Sequence, residues 1–349
     1  MKQTLWLHIG PHKTGTTSIQ NALDGYDDGA TRYARLGLPN HSIALTCAFR
    51  IDLKDNATLG RFGIPFEEAG DIGADVRQVL AEELSTPGHT LILSGEGMSV
   101  FGPQDFGALA DFVRPFVHRT RVLAYARDPL SRLSSMVQQV VRVGTLDLAT
   151  LSLSYRSQLE AALTTFGKDN IAVKRFDTSL FPGGSPVADF CQSVGADPTG
   201  REDVHARTGV SRDVIGLLHR WNQTEAAVQG STERFRARTR LINVLSRTFP
   251  GRFRLAPAYA RSLLPPDDLE WLRDEIGIDF TGALDGAEDL AGDVGSIDDL
   301  GLVSAETHKR LAALARNRGV PPGDGSIEAI MSALFQQILA RVEQLNRQK

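Results

Sequence analysis

The stretch that decides the fold is "LWLHIGPHKTGTTSIQNAL", residues 5–23. A short apolar run, Leu5 to Ile9, stops at Gly10-Pro11, which is the pattern of a buried parallel strand. After the glycine-rich turn, Ile19, Leu23 and then Tyr26 recur at helical spacing. Strand, glycine turn and helix in that order make a ready anion site. Backbone N–H groups line the turn, and the helix N-terminus adds partial positive charge.

Working outward, the same alternation repeats downstream. "HTLILSGE" (89–96), "RTRVLAYARDP" (119–129) and "NIAVKRF" (170–176) read as strands. "DVRQVLAEEL", "DFGALADFVRPF", "LSRLSSMVQQVVRVG", "YRSQLEAALTTFG" and "VADFCQSVGAD" read as helices between and after them. Alternating strands and helices predict an α/β fold, a parallel β-sheet flanked by helices. Residues 29–70 read as irregular, with loops and a short helix facing the site. Beyond about Asp203 the strand pattern ends, and residues 279–304 read as a loop or linker rich in Gly, Asp and Ala. The last segment, 326–349, is an amphipathic helix with Ile327, Ile330, Met331, Leu334, Phe335, Ile338, Leu339, Val342 and Leu345 on one stripe. That stripe serves either docking on its own domain or a homodimer contact. The expected organisation is an α/β domain over 1–225 and a mainly helical C-terminal extension over 226–349.

Composition narrows the function classes. The chain has 349 residues, 42% hydrophobic and 23% charged, the balance of a globular protein. A formal net charge of -4 without a long basic run argues against a nucleic-acid partner. The two cysteines, Cys47 and Cys191, lie in unrelated contexts and read as free thiols rather than zinc ligands or a disulfide. No secretory signal precedes the loop, and no run approaches the eighteen or so apolar residues of a membrane span. The expectation is a cytoplasmic protein with no integral membrane segment.

Triphosphate-binding loops read G-x-x-x-x-G-K-[ST], with the lysine on the terminal phosphates and the hydroxyl on magnesium. Gly10 and Gly15 keep the glycine spacing, but Thr16 stands at the lysine position and Lys13 lies inside the loop. Lys13 therefore meets an anion from a different angle, and Thr16, Thr17 and Ser18 offer hydroxyl donors. A second constellation follows the strand "RVLAYA": Arg127-Asp128-Pro129-Leu130-Ser131-Arg132-Leu133-Ser134-Ser135. An arginine at the C-terminal end of a parallel strand faces the ligand crevice, and its guanidinium grips a phosphate in bidentate fashion. Ser135, about two turns along the following helix, can share a face with its first turn.

"PHKTGTTS" resembles the 5′-phosphate loop of sulfotransferases that use 3′-phosphoadenosine 5′-phosphosulfate (PAPS), in the form with a histidine before the lysine found in the bacterial and Golgi-type branch. Arg127 through Ser135 is similar to that family's R-[DN]-P-x-x-R-x-x-S signature, including the inner arginine at Arg132. The likeness extends loosely over residues 4–225. It implies a P-loop NTPase-like sulfotransferase fold, PAPS as co-substrate with 3′-phosphoadenosine 5′-phosphate as product, and no metal. His12, Lys13, Thr14, Gly15, Thr16, Thr17 and Ser18 would then meet the 5′-phosphosulfate, and Arg127 and Ser135 the 3′-phosphate. Lys13 would stabilise the leaving phosphate. The proton of the acceptor hydroxyl or amine would pass to Glu96, just after a strand, or to His41, in "LPNHSIAL". The acceptor stays open among a glycan, a lipid and a small molecule. A P-loop-type small-molecule kinase and a catalytically idle nucleotide-binding protein are the alternatives.

Overall fold

The computed structural model describes residues 2–11, 13–54, 59, 63–144, 151–201, 209–224, 231–285, 290, 292–321 and 323–347. The chain forms two compact units. One comprises Met1–Asp128, Ser154–Arg207 and Pro266–Phe280; the other comprises Pro129–Leu153, Thr208–Pro265 and Thr281–Lys349. The boundary expected at 225/226 lies outside the described residues.

The first unit is built on a parallel sheet. In chain order it contains β1 (Lys2–His8), α1 (Thr16–Leu23), β2 (Thr31–Tyr33), α2 (Ser42–Phe49), α3 (Phe66–Ser85), β3 (Thr90–Ser94), α4 (Pro103–Val113) and β4 (Val117–Arg127). The next helix, α5 (Pro129–Val143), belongs to the second unit; α6 (Tyr155–Phe166), β5 (Ile171–Phe176) and α7 (Pro186–Val194) complete the first. The five described strands pair in the order β2-β3-β1-β4-β5, all parallel. The central strands of such a sheet are buried on both faces, which is why β1, β3 and the end of β4 read as apolar runs. Leu5, Leu7, Leu91, Leu93 and Val122 are wholly buried on one side. On the other side Trp6, Ile92, Leu123 and Tyr125 pack with Ile19 and Leu23 of α1 and Phe190 and Val194 of α7. Parallel strands also bring their C-terminal ends to one edge. The glycine loop after β1, Glu96 after β3, Arg127 ending β4 and Phe176 ending β5 therefore share that edge.

Residues 29–70 hold the short helix expected there and one element that was not expected. The stretch holds an edge strand, β2, whose three residues are too few to show an alternating pattern. It also holds α2, which is buried on nearly every side and packs on α3 through Cys47 and Ala69.

The second unit is helical: α5, α8 (Arg212–Asn222), α9 (Thr232–Thr248), α10 (Ala305–Asn317) and α11 (Ile327–Arg347). The expected apolar stripe of the last helix is buried within this unit from Ile327 to Val342, whereas Leu345 is exposed. Trp221 of α8 meets Phe335 at 5.0 Å between ring centroids, donates Nε1–H to Ser332 at 3.2 Å, and is flanked by an Arg220–Glu328 ion pair at 2.6 Å. No described helix is long and apolar enough to cross a membrane.

Candidate active site

The loop after β1 carries unusual backbone. Lys13 and Gly15 both adopt φ 74°, in the left-handed region. For lysine this costs roughly 1 kcal/mol, a strain that persists where surrounding structure imposes it and that clusters at ligand sites. Backbone of this kind turns successive N–H groups toward one concave side, the geometry that receives an anion. Gly15 opens α1, and a Cβ there would come within 3.0 Å of the Phe176 ring. A Cβ on Gly10 would press on the Thr16 methyl and lie 2.8 Å from His8 Nε2. Both glycines are thus required by close approach, and Gly15 by its φ as well.

The loop hydroxyls divide their work. Thr14 is fully buried and donates to the Pro11 carbonyl at 2.7 Å, so its side chain braces the loop and leaves its backbone for a ligand. Thr16 is buried and donates to Glu96 Oε2 at 3.0 Å. Thr17 is exposed and Ser18 half-buried. His12 lies outside the described residues. Lys13 is half-buried, and its carbonyl accepts from Arg127 Nη1 at 3.0 Å.

Glu96 begins a single 3-10 turn, Glu96–Val100, directly after β3. Its placement depends on residues that sequence reasoning missed. Asn40 Nδ2 reaches Glu96 Oε1 at 3.5 Å, Asn40 Oδ1 accepts from Ser42 Oγ at 2.5 Å, and Ser42 Oγ accepts from the Gly97 N–H at 2.8 Å. The Gly95 N–H, in turn, donates to the His8 carbonyl at 3.1 Å and ties the turn to β1.

His41 is not in a substrate-facing loop. It sits at the start of α2 with 1% exposure, stacked at 4.7 Å on Tyr33. Its Nδ1 accepts from the Ser94 N–H at 3.1 Å, which leaves the proton on Nε2 of the neutral ring. Burial lowers its pKa to about 4. A base needs an accessible nitrogen, and this one is spent on fixing β3. His8 is likewise wholly buried under the loop, with Nδ1 2.8 Å from Ser94 Oγ. Burial brings its pKa down to about 4, against the opposing pull of the Glu96 charge.

Arg127 ends β4, with its guanidinium 5.7 Å from the centre of the Phe176 ring. Its carbonyl accepts from the Tyr155 hydroxyl, and Tyr155 is fixed in turn where its N–H meets Asp268 Oδ2 at 2.7 Å. Burial lowers the Arg127 pKa from its ordinary value, with Asp128 opposing. Ser135 and Arg132 belong to α5, in the helical unit. Ser135 is half-buried; Arg132 is wholly buried. The neighbouring Ser134 accepts the Leu255 N–H at 3.0 Å.

The edge of the sheet thus gathers an anion-shaped loop, a lysine within it, an arginine bound to it and a carboxylate bonded to its first helical hydroxyl. Among the described residues no group of three or more His, Cys, Asp and Glu side chains converges as metal ligands do. Comparison with known proteins gives little beyond this. No family model matches the chain. No curated protein matches it. A solved structure, described as the crystal structure of a sulfotransferase from Alicyclobacillus acidocaldarius, superimposes with a TM-score of 0.38 at 14% identity, covering 64% of this chain and 93% of that one. Similarity at that level fixes neither family nor activity.

Proposed function

We propose that the chain transfers a sulfuryl group from PAPS to a hydroxyl or amine acceptor. The observation that carries this reading is the 3.0 Å hydrogen bond from Thr16 to Glu96. Thr16 stands where a triphosphate loop has its lysine, and a carboxylate there opposes a terminal phosphate dianion. The same carboxylate is well suited to take a proton from an acceptor brought to the loop. The acceptor oxygen or nitrogen attacks sulfur as the bond between sulfur and the 5′-phosphate oxygen breaks, the electron pair leaves with that phosphate, and Glu96 receives the proton. Lys13 and the loop amides receive the leaving charge. Arg127 takes the 3′-phosphate. The acceptor's class, whether glycan, lipid or small molecule, follows from none of these contacts.

The test is incubation with radiolabelled PAPS and fractionated cell extract. Label passes to an acceptor with the unaltered chain and fails to pass with Glu96→Gln. Transfer from ATP instead of PAPS, or equal transfer by both forms, overturns the reading.

A further inference from the structure

We propose that the outer face of α9, together with the end of α11, docks the protein on an anionic lipid surface. α9 buries Ala237, Arg238, Leu241, Ile242 and Leu245 and turns Phe235, Arg236, Thr239, Arg240, Asn243 and Arg247 to solvent. That outer row holds arginines and no carboxylate. Arg236, Arg240 and Arg247 make no ion pair among the described residues. A carboxylate-free basic row stands out in a chain of net charge -4, whose other residues together carry net negative charge.

Two hydrogen bonds extend the row to a second helix. Arg236 Nη1 donates to Asn346 Oδ1 at 3.4 Å, and Asn346 Nδ2 donates to Glu233 Oε1 at 3.1 Å. They bring the end of α11 beside the start of α9, so Leu345, 46% exposed, and Arg347 lie at the same corner as Phe235, 54% exposed. Among the described residues the acidic groups of this corner are Glu233, which accepts from Asn346 and lies in the field of Arg236, and the half-buried Glu343. A soluble polyanion would use the arginines and leave Phe235 and Leu345 in water. A bilayer uses both: arginines meet phosphate headgroups while the aromatic and aliphatic side chains enter the acyl boundary. Attachment is to the surface, since no described helix is long and apolar enough to cross a membrane.

The inference stands independently of the sulfuryl-transfer reading and is tested on the full chain by co-sedimentation with vesicles of phosphatidylglycerol and phosphatidylcholine against pure phosphatidylcholine. The chain is expected to pellet with the anionic vesicles and to be released by salt. Each arginine-to-glutamine change among Arg236, Arg240 and Arg247 lowers partitioning roughly fivefold. Phe235→Ser and Leu345→Ser lower it further, and all five variants melt as the unaltered chain does because the residues are exposed. Equal binding to neutral vesicles, undiminished binding by the triple glutamine variant, or retention on heparin without vesicle binding overturns the proposal.

Discussion

Under the proposed reaction, Glu96 and Lys13 separate turnover from binding. Glutamine at 96 keeps the volume and still accepts from Thr16 but cannot take a proton. Glu96→Gln is therefore expected to lower sulfuryl transfer about 100-fold or more while leaving bisphosphate-nucleotide affinity nearly unchanged. Lys13→Ala is expected to reduce the transfer rate more than it weakens that affinity; near-normal turnover would contradict its role at the leaving group. The two buried histidines make a separate, pH-dependent prediction. His8 and His41 both have pKa values brought down from 6.5 to about 4, so the unfolded chain binds more protons than the folded one between those values. Stability is complete above pH 6.5 and is lost as pH falls toward 4, on the order of 3 kcal/mol for each histidine. Melting curves from pH 7 to pH 4.5 check this, and a His41→Gln variant should show a shallower decline. The loop and Arg127 were legible at this scale because their chemistry lies in consecutive residues. Asn40 and Ser42 were not, since they reach Glu96 and Gly97 across 56 and 55 positions and only folding brings them there. His41 misled because a histidine among Pro, Asn and Ser looks exposed, and nothing local reveals that Tyr33 covers it.

The elements that carry the site were read where their pattern was long. β1, β3 and the second half of β4 stand out as apolar runs because both sheet faces are buried there, whereas β5, an edge strand with no buried residue, shows only in Ile171, Ala172 and Val173. β2 does not stand out, and α10 was hidden because only a narrow face, Thr307, Leu311 and Ala315, enters the core. The end of α5 shows a device that no pattern announces. Arg238, 2% exposed, donates Nε to the Arg142 carbonyl at 2.6 Å and Nη2 to the Val141 carbonyl at 3.1 Å, and lies 4.9 Å from the Trp221 ring centre. It closes the helix C-terminus, where unpaired carbonyls and the dipole favour a cation. Gly144 follows with φ 80°, and a Cβ there would lie 2.7 Å from Arg238 Nη2. Arg238→Met is expected to destabilise the protein by about 2–4 kcal/mol, since buried carbonyls lose their donors. Arg238→Lys should recover only part of this, because an ammonium cannot span both carbonyls in the plane that guanidinium does. Denaturant titration measures both; a loss below about 0.5 kcal/mol in the methionine variant would remove the clamp from the account of α5.

At the scale of the whole chain, each unit is discontinuous in sequence. Pro129–Leu153 belongs to the helical unit though sheet-unit segments flank it, and Pro266–Phe280 belongs to the sheet unit though helical-unit segments flank it. Composition shifts and strand counts along the chain do not reveal such assignments, which follow from contacts in space. The α/β character and the helical C-terminal part were readable because they depend on local periodicity alone. Ligand binding reports on the entire molecule, because anything that binds the folded state alone stabilises it. The central claim is that the loop holds a phosphosulfate nucleotide and not a magnesium triphosphate. Calorimetric melting with 3′-phosphoadenosine 5′-phosphate, and separately with ATP and magnesium, tests it most directly. At about 100 times its dissociation constant the bisphosphate should stabilise the fold by about 2.7 kcal/mol and raise the melting temperature by a few degrees. That shift should disappear in Arg127→Ala. Stabilisation by ATP with magnesium and none by the bisphosphate would contradict it.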